Sequence, residues 1–153
     1  MSDSIYRFKF HNQRAFGAYY ARELAGRFEE ELYRWAPDFL VPVPLHPKKE
    51  RQRGYNQALI LARELGRLTG IPVADKLLRR VRYTTPQKKL GHRARRQNLH
   101  GAFQASERVR GAVIVLVDDI YTTGNTISGA AKALKEAGAE KVYFLTISIG
   151  QGY

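Results

Sequence analysis

Apolar side chains recur every fourth residue at Phe16, Tyr20, Leu24, Phe28 and Leu32, with charges between them. That spacing predicts one helix over 14–35, closed by Pro37. Phe39 to Val43 then reads as a short buried strand with prolines towards its C-terminal end. The basic stretch His46 to Gly54 reads as a loop. Asn56 is placed to cap a helix running to about Thr69, with Ala58, Leu61, Ala62, Leu65 and Leu68 as its apolar stripe and Gly70 as its stop. Residues 76–83 suit a second strand. Residues 84–101 carry charges, Pro86, Gly91 and Gly101 without a clean period, which predicts a long flexible loop. Val113 to Val117 is the clearest strand, five apolar residues as in a parallel strand buried on both faces. A turn follows at Asp118 to Asn125. A helix from Thr126 to Ala137 places Ile127, Ala130, Ala131 and Leu134 on one face, Gly138 ends it, and Val142 to Ile149 forms the last strand.

Strand, helix and strand with short connections make a right-handed βαβ unit. The alternation along the chain predicts an α/β fold, an open, doubly wound and mainly parallel sheet flanked by helices. The 153 residues suit one domain spanning 1–153, with 1–37 an N-terminal extension and helix. The absence of cysteine excludes disulfides, a Cys-type zinc site and a thiol nucleophile. No apolar run approaches the roughly 18 residues of a membrane span. Met1 to Phe10 lacks the apolar stretch of a signal peptide, so the expectation is a cytoplasmic protein without membrane insertion. Charge adds a further constraint. The net charge is +12, from 26 Lys and Arg against 14 Asp and Glu. Nine Lys or Arg fall between Lys76 and Ser106, a stretch with no acid at all. Such an excess points to a polyanionic partner: nucleic acid, an anionic surface or a multiply phosphorylated small molecule.

The segment Val115 to Thr126 carries the most specific chemistry. A buried strand delivers two adjacent carboxylates, Asp118 and Asp119, to the carboxyl edge of the sheet, where α/β folds bind ligands. A short hydroxyl-rich loop with one glycine then opens into a helix. The first N–H groups of a helix are unpaired and lie at its positive end, which makes an anion site. Gly124 lets the backbone approach a phosphate, and Thr122, Thr123 and Thr126 add hydroxyl donors. The carboxylates accept hydrogen bonds, and a ribose offers two neighbouring hydroxyls. Because phosphate and carboxylate repel, the arrangement prefers a ribose 5-phosphate, which holds them a sugar ring apart, over a bare phosphate. No Gly-Lys-Ser/Thr and no G-x-G-x-x-G pattern is present, so the Walker and dinucleotide-binding loops do not fit.

This segment resembles the phosphoribosyl-diphosphate signature of type I phosphoribosyltransferases. The resemblance implies that Asp118 and Asp119 bind the ribose hydroxyls and that Thr122, Thr123, Gly124, Asn125 and Thr126 hold the 5-phosphate. Members acting on 6-oxopurines usually carry an acid where this chain has Thr122, which counts against that substrate. Val41 to Pro47, Arg53 to Gln57, and Thr84 to Gln87 with Leu90, Arg95, Asn98 and Gly101 to Phe103 resemble the ComF competence-protein branch of the same superfamily. The chain resembles that family's short form, without the Cys-rich zinc module, so no zinc is expected. Relatives of that branch are associated with DNA uptake during natural transformation.

In this superfamily the loop after the first strand binds diphosphate, which places Val43, Pro44, Leu45 and His46 at that end of the ligand. Lys48, Lys49, Arg51 and Arg53 lie within reach. A leaving diphosphate gains charge as the C1–O bond breaks, and cations and Mg²⁺ stabilise it. Arg53 is the preferred candidate. Mg²⁺ is expected to be bridged between ligand and Asp118 or Asp119, with no protein-only metal site. The stretch Tyr83 to His100 suits a lid that carries Lys88, Lys89 and Arg93 onto the diphosphate. The same basic run, with Arg79, Arg80, Arg82, Lys89, Arg93, Arg95 and Arg96, equally suits a single-stranded nucleic-acid backbone. His11, His46, His92 and His100 lack metal-ligand spacing. Two functions therefore stand. One is transfer of a phosphoribosyl group from phosphoribosyl diphosphate to an acceptor, with Asp118, Asp119, Arg53 and Lys88 as the catalytic set. The other is a DNA-uptake accessory protein that keeps the pocket for binding or regulation. The aromatic face of the first helix suits core or a homodimer contact.

Overall fold

The computed structural model describes residues 15–81, 101–121 and 125–149. The stretch predicted as one helix is two, α1 (Ala15–Arg27) and α2 (Glu29–Trp35), with Phe28 between them. Phe28 leaves helical geometry at φ −111°, ψ 23°. Glu29, Glu30 and Glu31 fill the first turn of α2, where acids are favoured at a helix N-terminus but not in mid-helix. The hydrogen bonds Phe28 N–H to Leu24 O and Leu32 N–H to Phe28 O persist, so the two helices form a kinked rod.

Strand β1 (Phe39–Pro42) leads into α3 (Pro47–Arg53). The sequence reading expected a loop here. The helix has no buried residue and hence no apolar stripe to betray it. Its ends specify it instead: His46 Nδ1 accepts from the Lys48 N–H at 3.1 Å, Pro47 opens the first turn, and Gly54 closes it at φ 83°. The next helix, α4 (Gln57–Thr69), is the predicted one. Asn56 Oδ1 accepts from the Ala58 N–H at 3.0 Å, and Ala58, Leu61, Ala62 and Leu65 are buried.

Strand β2 (Leu78–Arg80) pairs antiparallel with β3 (Phe103–Ala105), a strand that the sequence reading did not expect. The predicted loop of 84–101 lies outside the described residues except for Gly101. After a 3₁₀ turn at Glu107–Val109 come β4 (Val113–Tyr121), α5 (Asn125–Glu136) and β5 (Lys141–Ile149). Strand β4 runs four residues beyond the predicted end at Val117, because β5 keeps pairing with it through Asp118↔Thr146, Ile120↔Ser148 and Tyr121↔Ile149. The acids expected in a turn are therefore strand residues.

The main sheet is parallel, in the order β1–β4–β5. Beyond β1, Val73 forms a parallel bridge with Leu40. Central β4 is buried on both sides. Ile114 and Leu116 face α5 and the β2–β3 pair, packing with Phe103, Val109, Ile127 and Leu134. Val115 and Val117 face α1 and α4, packing with Tyr20, Leu24, Leu61 and Leu65. This is the expected doubly wound arrangement, with helices on both faces. The aromatic stripe of the first helix is core: Tyr20, Leu24 and Leu32 are all buried.

Candidate functional site

Period-two alternation along β4 sends neighbouring side chains to opposite faces. Asp119 shares its face with Val115 and Val117, and so points towards α4. Asp118 shares the other face with Ile114 and Leu116, and so points towards the β2–β3 pair. The partners agree with this geometry. Asp119 is 3% exposed and its Oδ2 accepts from Gln57 Nε2 at 3.3 Å. Gln57, also 3% exposed, accepts from Arg53 Nη1 at 3.0 Å through Oε1. A chain of hydrogen bonds thus runs from the last residue of α3, through the first residue of α4, to the end of β4.

On the other face, Asp118 Oδ1 accepts from the Asp119 N–H at 2.8 Å. Arg80 lies within electrostatic reach of Asp118, and its guanidinium sits 5.2 Å above the Phe103 ring centroid. Arg80 and Phe103 are cross-strand partners in β2 and β3, which is what stacks them. Burial lowers the Arg80 pKa from its ordinary value, and the negative charge of Asp118 opposes that shift. An arginine so placed stays protonated.

Residues 120–124 separate the acids from α5, and of these Thr122, Thr123 and Gly124 fall outside the described residues. The structure does place the start of α5 at Asn125, immediately after this connection, with Thr126 half-buried in its first turn. The N-terminus of a 12-residue helix thus comes six residues after Asp119 in the chain.

The loop expected at the diphosphate is tied down at its first residue. The Val43 N–H donates to Val117 O at 2.9 Å, and Val43 O accepts from Asn56 Nδ2 at 3.4 Å. That N–H closes the sheet beside Pro42, and Pro44 has no N–H, so neither Val43 nor Pro44 donates a backbone hydrogen bond to an anion. The His46 imidazole caps α3 through Nδ1. Of the expected residues, Val43 lies beside Val117 and Arg53 is linked through Gln57 to Asp119, whereas Asp118 lies on the opposite face of β4. Lys88, Arg82, Lys89, Arg93, Arg95 and Arg96 lie outside the described residues. Arg79 is exposed and donates to Gln104 at 3.0 Å.

The sequence reading did not assign roles to Gln57 or to the Arg80–Asp118 pairing. A signal existed for each. Gln57 lies four residues before Leu61 and so shares the buried stripe of α4, where a polar side chain needs a partner. Arg80 lies two residues after Leu78 and shares its inward face. Among the described residues no three His, Cys, Asp or Glu come together as a metal site, and no helix is long and apolar enough to cross a membrane. A separate cleft of about 710 Å³ lies between α1, α2 and the C-terminal end of α4, lined by Arg22, Tyr33 and Thr69 among others. Since α4 is about 20 Å long, this cleft is a helix length away from Gln57 and the acids.

The fold is a parallel α/β sheet flanked by helices, with an acid pair near the carboxyl end of its central strand. The chain belongs to the phosphoribosyl transferase domain family, whose model matches residues 9–148. Its relatives place it in the ComF branch. It is 36% identical over 148 residues to competence protein F of Haemophilus influenzae, covering 93% of this chain and 65% of that protein. It is 38% identical over 106 residues to the DNA utilization protein YhgH of Salmonella typhi, covering 69% and 47%. Competence protein ComFC of Bacillus subtilis is 32% identical over 138 residues, covering 90% and 55%. The chain thus spans between about half and two thirds of the length of these relatives. Among solved structures, a purine phosphoribosyltransferase from Pyrococcus horikoshii superposes with a TM-score of 0.57 at 16% identity, covering 88% of this chain and 76% of that one. That likeness concerns the fold alone.

Proposed function

We propose that this protein binds phosphoribosyl diphosphate, or a nucleotide built on ribose 5-phosphate, and transfers the phosphoribosyl group to an acceptor with release of diphosphate. The observation that carries the reading is the buried Asp119, anchored through Gln57 to Arg53 at the carboxyl end of the central strand. A carboxylate held dry at a sheet edge, with a helix N-terminus just beyond it, has little use in stability. It suits a polyol on one side and an oxyanion on the other. In the reaction the C1–O bond to the diphosphate breaks as a lone pair of the acceptor bonds to C1. The leaving diphosphate takes the bonding electrons through an oxocarbenium-like state. Asp119 orients the ribose diol from the α4 face, Asp118 adds its charge from the other face of the strand, and Arg53 faces the growing charge on the diphosphate. Asp118 or Asp119 would hold a Mg²⁺ ion, since carboxylate oxygens suit that cation, and the ion would supply neutralisation of diphosphate charge. Isothermal titration with phosphoribosyl diphosphate and Mg²⁺ is expected to give saturable heat. Its absence at concentrations above millimolar overturns the reading.

A second reading is favoured by the exposed Arg79 beside the acid-free basic run, and by relatives named for competence and DNA utilization. In this reading the protein binds single-stranded DNA as an accessory to its uptake, and the pocket serves regulation. Affinity for an oligothymidylate is then expected to fall linearly on a log–log plot as salt rises, with a slope of about −0.7 per phosphate contacted. Binding that is absent or indifferent to salt removes this reading.

A further inference from the structure

We infer that Gln57 is a positioning residue of the sugar-diphosphate site, coupling the cation at the diphosphate end to the acid at the ribose end. The inference rests on the reading given above and adds a residue to it. One amide uses both of its functions. Nε2 donates to Asp119 Oδ2 at 3.3 Å, and Oε1 accepts from Arg53 Nη1 at 3.0 Å. The amide orientation is fixed by its neighbours, since Arg53 offers only donors and Asp119 only acceptors. Gln57 is itself immobilised at the first position of α4, whose cap Asn56 is bonded to the Ala58 N–H and to Val43 O. The same capping residue therefore holds the start of the diphosphate loop and the start of the helix that carries Gln57.

Two consequences follow from the chemistry. An aspartate anchored through one oxygen is held in a fixed orientation, so the direction in which its carboxylate accepts from a hydroxyl is set before the ligand arrives. An arginine held through one Nη keeps its remaining donors aimed, so less side-chain freedom is lost when an oxyanion arrives. A hydrocarbon of the same length fills the space but orients neither group. A carboxylate keeps the bond to Arg53 and replaces the bond to Asp119 with a repulsion.

The test titrates phosphoribosyl diphosphate with Mg²⁺ into the full chain and into Q57M, Q57E, R53A and Q57M/R53A, with thermal unfolding of each. Q57M is expected to weaken binding by about tenfold or more with an unfolding midpoint near that of the wild type. The loss in Q57M/R53A is expected to be smaller than the product of the single losses, since Q57M has already released Arg53. Q57E is expected to weaken binding at pH 7.5 and to recover relative to wild type towards pH 5.5, as the introduced carboxyl takes up a proton and can donate where Gln57 Nε2 did. A group that only filled space would show no such profile. Wild-type binding matched by Q57M, or single losses that multiply in full, overturns the inference and leaves the broader reading standing. So does a loss that appears only together with a collapsed unfolding transition, since Gln57 is then structural. A wild-type chain that takes up no sugar diphosphate overturns both.

Discussion

The double substitution Asp118→Asn with Asp119→Asn is expected to abolish sugar-diphosphate binding while leaving the protein folded. Each carboxylate has one oxygen accepting within the protein and offers a diol only its further charged acceptor capacity, whereas an amide that keeps its oxygen in that internal bond turns a donor pair to the ligand. Hydrogen bonds to charged groups contribute about 1.5–3 kcal/mol each, so losing one such bond at each acid weakens binding by about 10²–10⁴-fold. Stability is affected far less. The amide oxygen at 119 still accepts from Gln57 Nε2, and the one at 118 still accepts from the N–H of the next residue. The cations Arg53 and Arg80 lose a counter-charge, but the buried negative charge at 119 costs desolvation that the amide relieves. Calorimetric titration and thermal unfolding of the same sample separate the two effects. A double variant that melts far below the wild type shows the acids to be structural and refutes their assignment to the ligand.

The same acids show how much a sequence can convey and where it stops. The run of five apolar residues before Asp118 made β4 legible, since a strand buried on both faces needs that composition. The stripe Ala58, Leu61, Ala62 and Leu65, with Asn56 before it and Gly70 after it, made α4 legible together with both of its caps. What stayed hidden depends on contacts distant in sequence. The extension of β4 to Tyr121 is set by β5, about 28 residues further on, since the adjacent Asp118 and Asp119 taken alone favour a turn over a strand. The pairing of β2 with β3 joins residues 23 to 27 apart, and three-residue strands carry too little alternation to announce it. Helix α3 has no buried face, so the periodicity that finds helices finds nothing there.

The site divides along the same line. That two acids and a helix start belong together was readable from adjacency in the chain. That the acids face opposite sides of the sheet follows from strand period, but only once β4 is known to include them. Gln57 lies 62 residues before Asp119, and no local pattern links the two. Its place on the buried side of α4 marked it as a polar group in need of a partner, without saying which. Arg80 is a similar case. Counted by composition it joins a basic run, whereas its register opposite Phe103 and its closeness to Asp118 set it beside the acid pair.

Gly66→Ala is expected to destabilise the protein, against the ordinary rule for helices. Replacing a mid-helix glycine with alanine normally stabilises by about 1 kcal/mol, because alanine has less backbone freedom to lose. At Gly66 a Cβ would meet Val73 Cγ2 at 2.7 Å and the carbonyl oxygen of Ile71 at 2.9 Å. The side chain of Val73 might be thought able to turn aside, but Cβ branching restricts its rotamers, and the Ile71 oxygen belongs to the backbone. That backbone is pinned. The Leu40 N–H donates to Pro72 O at 2.8 Å and the Ala74 N–H donates to Leu40 O at 2.9 Å, so residues 72–74 are stitched to β1. Helix α4 must therefore lift away from the sheet, carrying Leu61 and Leu65 out of the core beneath it. Overpacking of this kind costs about 1–3 kcal/mol. For a chain of this size each kcal/mol lowers the thermal midpoint by about 2–4 °C. Because Gln57 opens the same helix, the displacement is expected to reach the Gln57–Asp119 bond and to weaken ligand binding as well. An unchanged or raised midpoint in thermal unfolding refutes the close approach of α4 to residues 71–73.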